Sequence, residues 1–306
     1  MKILIVCSRN SGQIAPFIQE QGDALSLVGL EVSYCTIQGK GAWGYLKNRK
    51  RLMESIHQFA PDLIHAHYGL SGLLANLQRD IPVITTYHGS DINTPNIYPF
   101  SRLSMYLSAH NIFVSEKNRI KSGIKNKQSL IPCGVDITLF IPSEKIDARK
   151  RLGLDANKKI VLFAGAFHNR VKNAELAKEA VTLLPNTEIL ELKGYSREQV
   201  VLLLNAVDVV LLTSFTEGSP QIIKEAMACN CPLVSVAVGD VSEVMDIPGG
   251  FISTYEPTDV AEKLQQALSF GKRTEGRNRI VELGLDSESV AKRIKVVYEE
   301  VIGKNF

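Results

Sequence analysis

Short apolar runs alternate with amphipathic stretches along almost the whole chain. Ile3–Cys7, Val32–Thr36, Leu63–Ala66, Val83–Thr86, Ile112–Ser115 and Leu130–Ile131 lack a polar residue at every second position. Strands covered on both faces read this way, and most of these runs are followed by a helical stretch, so a parallel sheet with helical crossovers is predicted. The pattern pauses at Leu139–Glu144, where Pro142 stops regular structure. A second series follows: Ile160–Ala164, Glu188–Leu192, Val209–Leu212 and Leu233–Val236 as strands, with Leu176, Ala177, Ala180, Val181 and Leu184 at helical spacing. Val290, Ile294, Val297 and Val301 form one stripe behind Ser287, a residue suited to capping a helix. The expected architecture is α/β: two Rossmann-like, doubly wound domains, 1–141 and 142–285, and a closing C-terminal helix at 286–306. Domains of this kind bind ligands at the carboxyl ends of their strands, here facing a shared cleft.

Composition narrows the classes. A chain of 306 residues suits two domains, and 45% hydrophobic with 22% charged residues excludes disorder as the main state. A net charge of +3 is too small to point to nucleic acid. The five cysteines include one close pair, Cys229 and Cys231, which is neither a zinc spacing nor a disulfide framework. The amino terminus runs straight into an apolar segment without a cleavable signal pattern, and no run of 18 apolar residues occurs. A cytoplasmic protein is expected.

Candidate chemistry lies just after the strands. The richest segment is Thr213–Ala228, which leaves one strand and enters a helix. Gly218 permits close approach, Ser219 can cap, and Pro220 suits the first helical position. The free amides of that turn, Gln221 included, form an anion site fit for a diphosphate. Glu225 lies beside the apolar stripe of Ile222, Ala226 and Cys229, which predicts partial burial. Glu217 and Glu225 could be a glycosidase pair, but eight helical residues span about 12 Å, whereas a retaining hydrolase needs about 5–5.5 Å between carboxyls. The bland alternative is a helix cap and a solvated glutamate. His88 and Asp91 follow another strand beside Gly89, where an ordinary structural histidine competes with a ligand contact. Gly165–Asn173 carries Arg170 and Lys172, two cations able to neutralise a diphosphate, or simply a solvated loop.

Two further features invite other readings. Gly39, Gly41 and Gly44 satisfy G-x-G-x-x-G and would suggest a dinucleotide cofactor, but they follow the second strand rather than the first. The tract Lys47–Arg51, near Trp43 and Tyr45, reads as a solvated helix face or as a patch drawn to anionic headgroups or a phosphorylated acceptor.

Taken in order, several segments resemble the group 1 glycosyltransferases, a large family of retaining, GT-B-fold enzymes that use nucleotide-sugar donors. They are Ser11-Gly12 after the first strand, T-Y-H-G-S-D at Thr86–Asp91, I-P-C-G-V-D at Ile131–Asp136, E-x7-E from Glu217 to Glu225, and Gly239–Glu243. The resemblance implies transfer of a hexose from a nucleotide diphosphate sugar to a glycan or lipid-linked acceptor in cell-surface polysaccharide synthesis. It implies no cofactor, no metal and no nucleic-acid partner, and the lack of a D-x-D sequence agrees with metal independence. Glu225 would take the ribose hydroxyls, Glu217 those of the transferred sugar, and the amides around Ser219–Gln221 the diphosphate. Lys172 would meet the developing phosphate charge. His88 would contact the donor sugar, with Asp91 behind it facing the acceptor. Gly12 and Gly165 would admit the donor phosphates. The chain departs from the family where Gly-Arg becomes Gly165-Ala166, leaving Arg170 as the cation that could substitute. A non-catalytic nucleotide-sugar-binding protein and a NAD-dependent oxidoreductase remain as other readings. With the basic tract engaged, the protein would sit peripherally at the inner membrane face.

Overall fold

The computed structural model describes residues 1–303, which form two compact units. The first comprises residues 1–134 together with the final helix Ser287–Gly303, and the second comprises residues 135–286.

In the first unit, β1 (Lys2–Ser8), β2 (Glu31–Ile37), β3 (Leu63–His67), β4 (Val83–Tyr87), β5 (His110–Phe113) and β6 (Gln128–Leu130) form one sheet in the order β2-β1-β3-β4-β5-β6. All its pairings are parallel. β3, β4 and β5 are buried at every position, which is why their sequences lack alternation. The final helix lays Val290, Ile294, Val297 and Val301 into the core formed by Ile3, Ile5, Ile18 and Leu25.

In the second unit, β7 (Lys159–Phe163), β8 (Thr187–Glu191), β9 (Val209–Leu212), β10 (Leu233–Val236) and β11 (Gly250–Ser253) pair in parallel in the order β11-β10-β9-β7-β8. Its larger core joins Leu162, Val210, Ile223 and Met227 to Val135 and Phe140. That membership explains where the chain divides. Val135 and Phe140 are fully buried in the second unit's core, so the units part after Gly134 and not at the proline eight residues later.

Several strand bounds shift by one or two residues from expectation, and two elements differ for reasons visible in the structure. β5 spans 110–113 instead of 112–115, because Ser115 accepts a hydrogen bond from the Asn118 N–H and caps the next helix, Glu116–Ser122. β11 has no counterpart in the expected set. It is an edge strand with a glycine at its start and Ile252 39% exposed, so its apolar signal is short.

Candidate functional site

In the second unit the winding reverses between β7 and β9, and the loops leaving these neighbouring strands flank the place where such sheets bind ligands. The loop after β7 ends in a single 3₁₀ turn, Arg170–Lys172, in which the Val171 N–H donates to the Asn169 side chain at 3.1 Å. At the end of β9, the Thr213 hydroxyl reaches the carbonyls of Lys172 and Asn173, each at 2.9 Å, and pins one loop to the other. The Phe215 N–H adds a 2.9 Å bond to the Val171 carbonyl. The product is an ion pair: Lys172 Nζ donates to Glu217 Oε1 at 2.6 Å, with the two side chains 24% and 16% exposed. Arg170, two residues before Lys172 in the same turn, stands exposed.

Gly165 makes room for this pair. A Cβ there would lie 2.8 Å from Lys172 Cγ, near the root of the side chain, where it cannot swing clear. Its φ is not in the left-handed range, so alanine is tolerated by the backbone and the clash falls on Lys172 alone. Gly165→Ala is therefore expected to cut turnover about 10- to 100-fold through displacement of the ammonium, with a melting temperature close to wild type. A steady-state rate equal to wild type would refute the placement.

The helix after Glu217 runs Gln221–Ala228, and its beginning differs from the sequence reading. Pro220 is the N-cap, at φ −69° and ψ 114°, not the first helical residue, and Ser219 does not cap. Instead the Ser219 hydroxyl donates to Asp240 Oδ2 at 2.5 Å and accepts from Lys224 Nζ at 2.6 Å. The reason is burial. Lys224 is 1% exposed and Asp240 9%, and two buried charges require partners more than a helix end requires a cap. Gly239, at φ +57°, lets the loop carrying Asp240 press against the Gly218 carbonyl, where any side chain would collide.

Glu225 is buried fully, not partly: it is 4% exposed and its Oε1 lies 3.0 Å from Arg197 Nη2. Arg197 stacks its guanidinium over the Phe140 ring at 4.7 Å. Burial pushes the Glu225 carboxyl above its usual range, while Arg197 and Lys224 pull it back. Burial likewise raises Asp240 against the pull of Lys224 and the Ser219 hydroxyl. Three opposed-charge couples thus stand in these segments: Lys172 with Glu217, Lys224 with Asp240 through Ser219, and Arg197 with Glu225.

The first unit has its own reversal between β1 and β3. Gly12, at φ +95°, lies in the loop after β1, and its carbonyl accepts from Arg9 Nε at 2.9 Å. β3 ends at His67 and β4 precedes His88, and their rings meet with Nδ1 of His67 2.9 Å from Nε2 of His88. Tyr68 follows at φ +72°, an unusual conformation for a bulky residue, and packs its ring 4.6 Å from that of His88.

Asp91 is placed differently from expectation. It is 3% exposed and turned inward, accepting from the amides of His88 (3.1 Å), Gly89 (2.9 Å) and Gly69 (3.1 Å). A carboxylate so enclosed fixes the His88 loop rather than touching an acceptor. Burial pushes it up to about 6 even against those amides. Since an unfolded aspartate titrates near about 3.9, the folded chain holds this proton more tightly. The stability Asp91 contributes is therefore largest below pH ~4 and is lost as pH rises to about 6, on the order of 2–3 kcal/mol. Urea unfolding should show the stability of wild type relative to Asp91→Asn shrinking by that amount from pH 4 to pH 7; a constant difference would contradict it.

Sequence reasoning overlooked Arg197, Lys224, Asp240 and His67. Lys224 carried a signal as a cation inside the apolar run of its helix, and Asp240 lay within the Gly239–Glu243 segment without being given a role. The G-x-G-x-x-G segment has a local explanation: a Cβ on Gly39 would lie 2.5 Å from the Gly44 carbonyl oxygen, so both glycines serve their own tight turn.

Comparison with known proteins bears on the fold and the family. The model of glycosyltransferase family 4 matches residues 4–139, and that of glycosyl transferases group 1 matches residues 186–269. D-inositol 3-phosphate glycosyltransferase of Mycolicibacterium vanbaalenii is 24% identical over 277 residues, covering 71% of this chain and 61% of that protein. The putative teichuronic acid biosynthesis glycosyltransferase TuaC of Bacillus subtilis is 26% identical over 217 residues, 60% of this chain and 55% of its own length. The chain thus spans less than two thirds of the length of these relatives. Among solved structures, sucrose-phosphate synthase from Thermosynechococcus elongatus is similar with a TM-score of 0.86 at 18% identity, covering 99% of this chain and 100% of that one. Anabaena HepE in complex with UDP-glucose is similar with a TM-score of 0.74 at 18% identity, covering 98% and 100%. With two glycosyltransferase family models matched in succession on doubly wound sheets of the same architecture, the chain is similar to the group 1 glycosyltransferases and has the GT-B fold.

Proposed function

We propose that this protein transfers a hexose from a nucleotide diphosphate sugar to a glycan or lipid-linked acceptor, with retention, in cell-surface polysaccharide synthesis. The observation that carries the proposal is the Lys172–Glu217 pair at the winding reversal of the second unit, four residues before the helix Gln221–Ala228. Breaking a sugar–phosphate bond leaves positive charge on the sugar and negative charge on the diphosphate. Lys172 and the free amides of the helix's first turn meet the negative charge in a fixed geometry, as electrostatic catalysis requires. Glu217, released from Lys172 by the arriving phosphate, turns to the sugar hydroxyls, while Glu225 accepts from the ribose. His88 contacts the donor sugar. The acceptor hydroxyl attacks from the face the diphosphate leaves, and its proton passes to a departing phosphate oxygen. The proposal assigns no metal and no cofactor. HepE, which shares the fold, is known with UDP-glucose, which supports a nucleotide sugar as the donor class.

A thermal-shift screen over UDP-, GDP- and ADP-sugars tests the first half, because a ligand of the folded state raises its melting temperature. Stabilisation by one donor class and transfer of its sugar to an acceptor panel is the expected result. No shift from any donor would remove the reading, and binding without transfer would favour a non-catalytic nucleotide-sugar-binding protein, in line with Ala166.

The basic tract supports peripheral contact with an anionic membrane. Trp43 is 80% exposed, and Lys47, Arg49 and Lys50 beside it are exposed as well. Arg51 is partly engaged, donating to Thr36 Oγ1 at 3.1 Å. Among the described residues no helix is long and apolar enough to cross a membrane. Flotation with anionic but not neutral vesicles is expected; equal behaviour on both would refute the contact.

A further inference from the structure

We propose that His67 is a positioning residue for His88: its Nδ1–H donates to His88 Nε2 and holds the hydrogen of the neutral His88 ring on Nδ1. The use of that hydrogen rests on the transfer reading given above; its position does not.

His67 closes β3 with 0% exposure, and burial, with His65 and His88 adding to it, pushes its ring well below the usual histidine range. It is therefore a neutral imidazole with a single N–H. Its Nδ1 lies 2.9 Å from His88 Nε2, so one hydrogen must occupy that contact. The buried Nε2 of His67 decides which ring supplies it, since it has no hydrogen-bond partner among the described residues. Were His88 the donor, the His67 hydrogen would sit on Nε2 as a buried N–H facing no acceptor. With His67 as donor, Nε2 carries only a lone pair, and buried orphan acceptors are tolerated better than orphan donors.

The surroundings keep the His67 ring in place. His65 stacks on it at 4.6 Å and 28°, and is itself held by the Tyr298 hydroxyl at 2.5 Å and Thr86 Oγ1 at 2.7 Å. His88 stacks beside His67 at 5.2 Å and 19°, and is flanked by Phe17 at 5.0 Å and Tyr68 at 4.6 Å. The Nδ1 of His88 then points its hydrogen toward Cys133 Sγ at 3.6 Å. A sulfur contact of that length is weak, and a hydroxyl oxygen makes a better acceptor for the same N–H. A neutral N–H donor also suits a sugar on which positive charge develops, because it binds oxygen without adding a like charge.

Long-range proton–nitrogen correlation spectra of the uniformly ¹⁵N-labelled full chain test this without any substrate. His88 is expected to show a protonated Nδ1 and a bare Nε2 in the wild type, with resonances assigned through His67 and His88 variants. His67→Leu removes the donor and should move the His88 hydrogen toward Nε2. His67→Asn, whose amide nitrogen stands where Nδ1 stood, should restore the wild-type pattern. Once a donor is identified, His67→Leu should lower kcat about tenfold with unchanged nucleotide affinity, and His67→Asn should recover it. A wild-type His88 protonated on Nε2 overturns the proposal, as does a Leu variant with an unaltered His88 pattern. The wild-type spectrum decides even if the Leu variant does not fold, and failure of the transfer reading would leave the ring measurement standing.

Discussion

Replacing Lys172 with alanine is expected to lower glycosyl transfer about 100- to 1,000-fold, the usual cost of removing one fixed donor aimed at developing charge. The effect should fall on turnover more than on donor affinity. In the ligand-free chain the ammonium is already satisfied by Glu217 at 2.6 Å, so a ground-state diphosphate gains only the difference between two partners. The leaving diphosphate carries more charge, and there the gain is larger. Calorimetry with the nucleotide sugar should show a change of about tenfold or less, and steady-state transfer the full loss. Lys172→Arg should rescue little, because the Lys172 stem is packed close over Gly165 and a planar guanidinium does not place its charge at the point the compact ammonium occupies. A transfer rate within threefold of wild type for Lys172→Ala would end the assignment of the site.

The strands of both sheets were legible because burial on two faces writes itself into a run of apolar residues. β9 and β10 have the boundaries the sequence predicts. Legibility fails where that cause fails: β11 lies at an edge and starts at Gly250, so half its positions carry no apolar requirement. It fails differently at Ser115 and Ser219. Both are hydroxyls just ahead of a helix, and only Ser115 caps. Local spacing cannot tell them apart, since what diverts Ser219 is a buried lysine five residues on and an aspartate twenty-one residues on. The site shows the same division. Loop position, glycine and charge type marked Lys172, Glu217, Glu225 and His88. Their partners Arg197 and His67 come from other elements and follow from no local pattern. Asp91 was misplaced because an acid after a strand looks alike in sequence whether it faces a ligand or its own loop.

Glu225→Gln is expected to weaken nucleotide-sugar binding about 10- to 100-fold, and the pH dependence of the wild type should give the reason. A hydrogen bond to a charged group is worth about 1.5–3 kcal/mol, and ribose hydroxyls donating to an ionised Glu225 are of that kind. Burial holds the Glu225 carboxyl above its usual range, so lowering the pH protonates it earlier than an exposed glutamate and removes the charge the hydroxyls bind. Wild-type affinity should therefore fall as pH drops from 7 through that raised range, and the nucleotide sugar is the right probe because its diphosphate diester stays ionised throughout. Glu225→Gln has no such proton and should bind weakly with a flat profile. Arg197→Met should lie between the two. It leaves Glu225 in place but takes away the cation 3.0 Å from it, which lifts the carboxyl further and moves the loss of affinity to higher pH. Parallel pH profiles for wild type and Glu225→Gln would mean that the ribose is held elsewhere, and that Arg197 and Glu225 are only a buried structural couple.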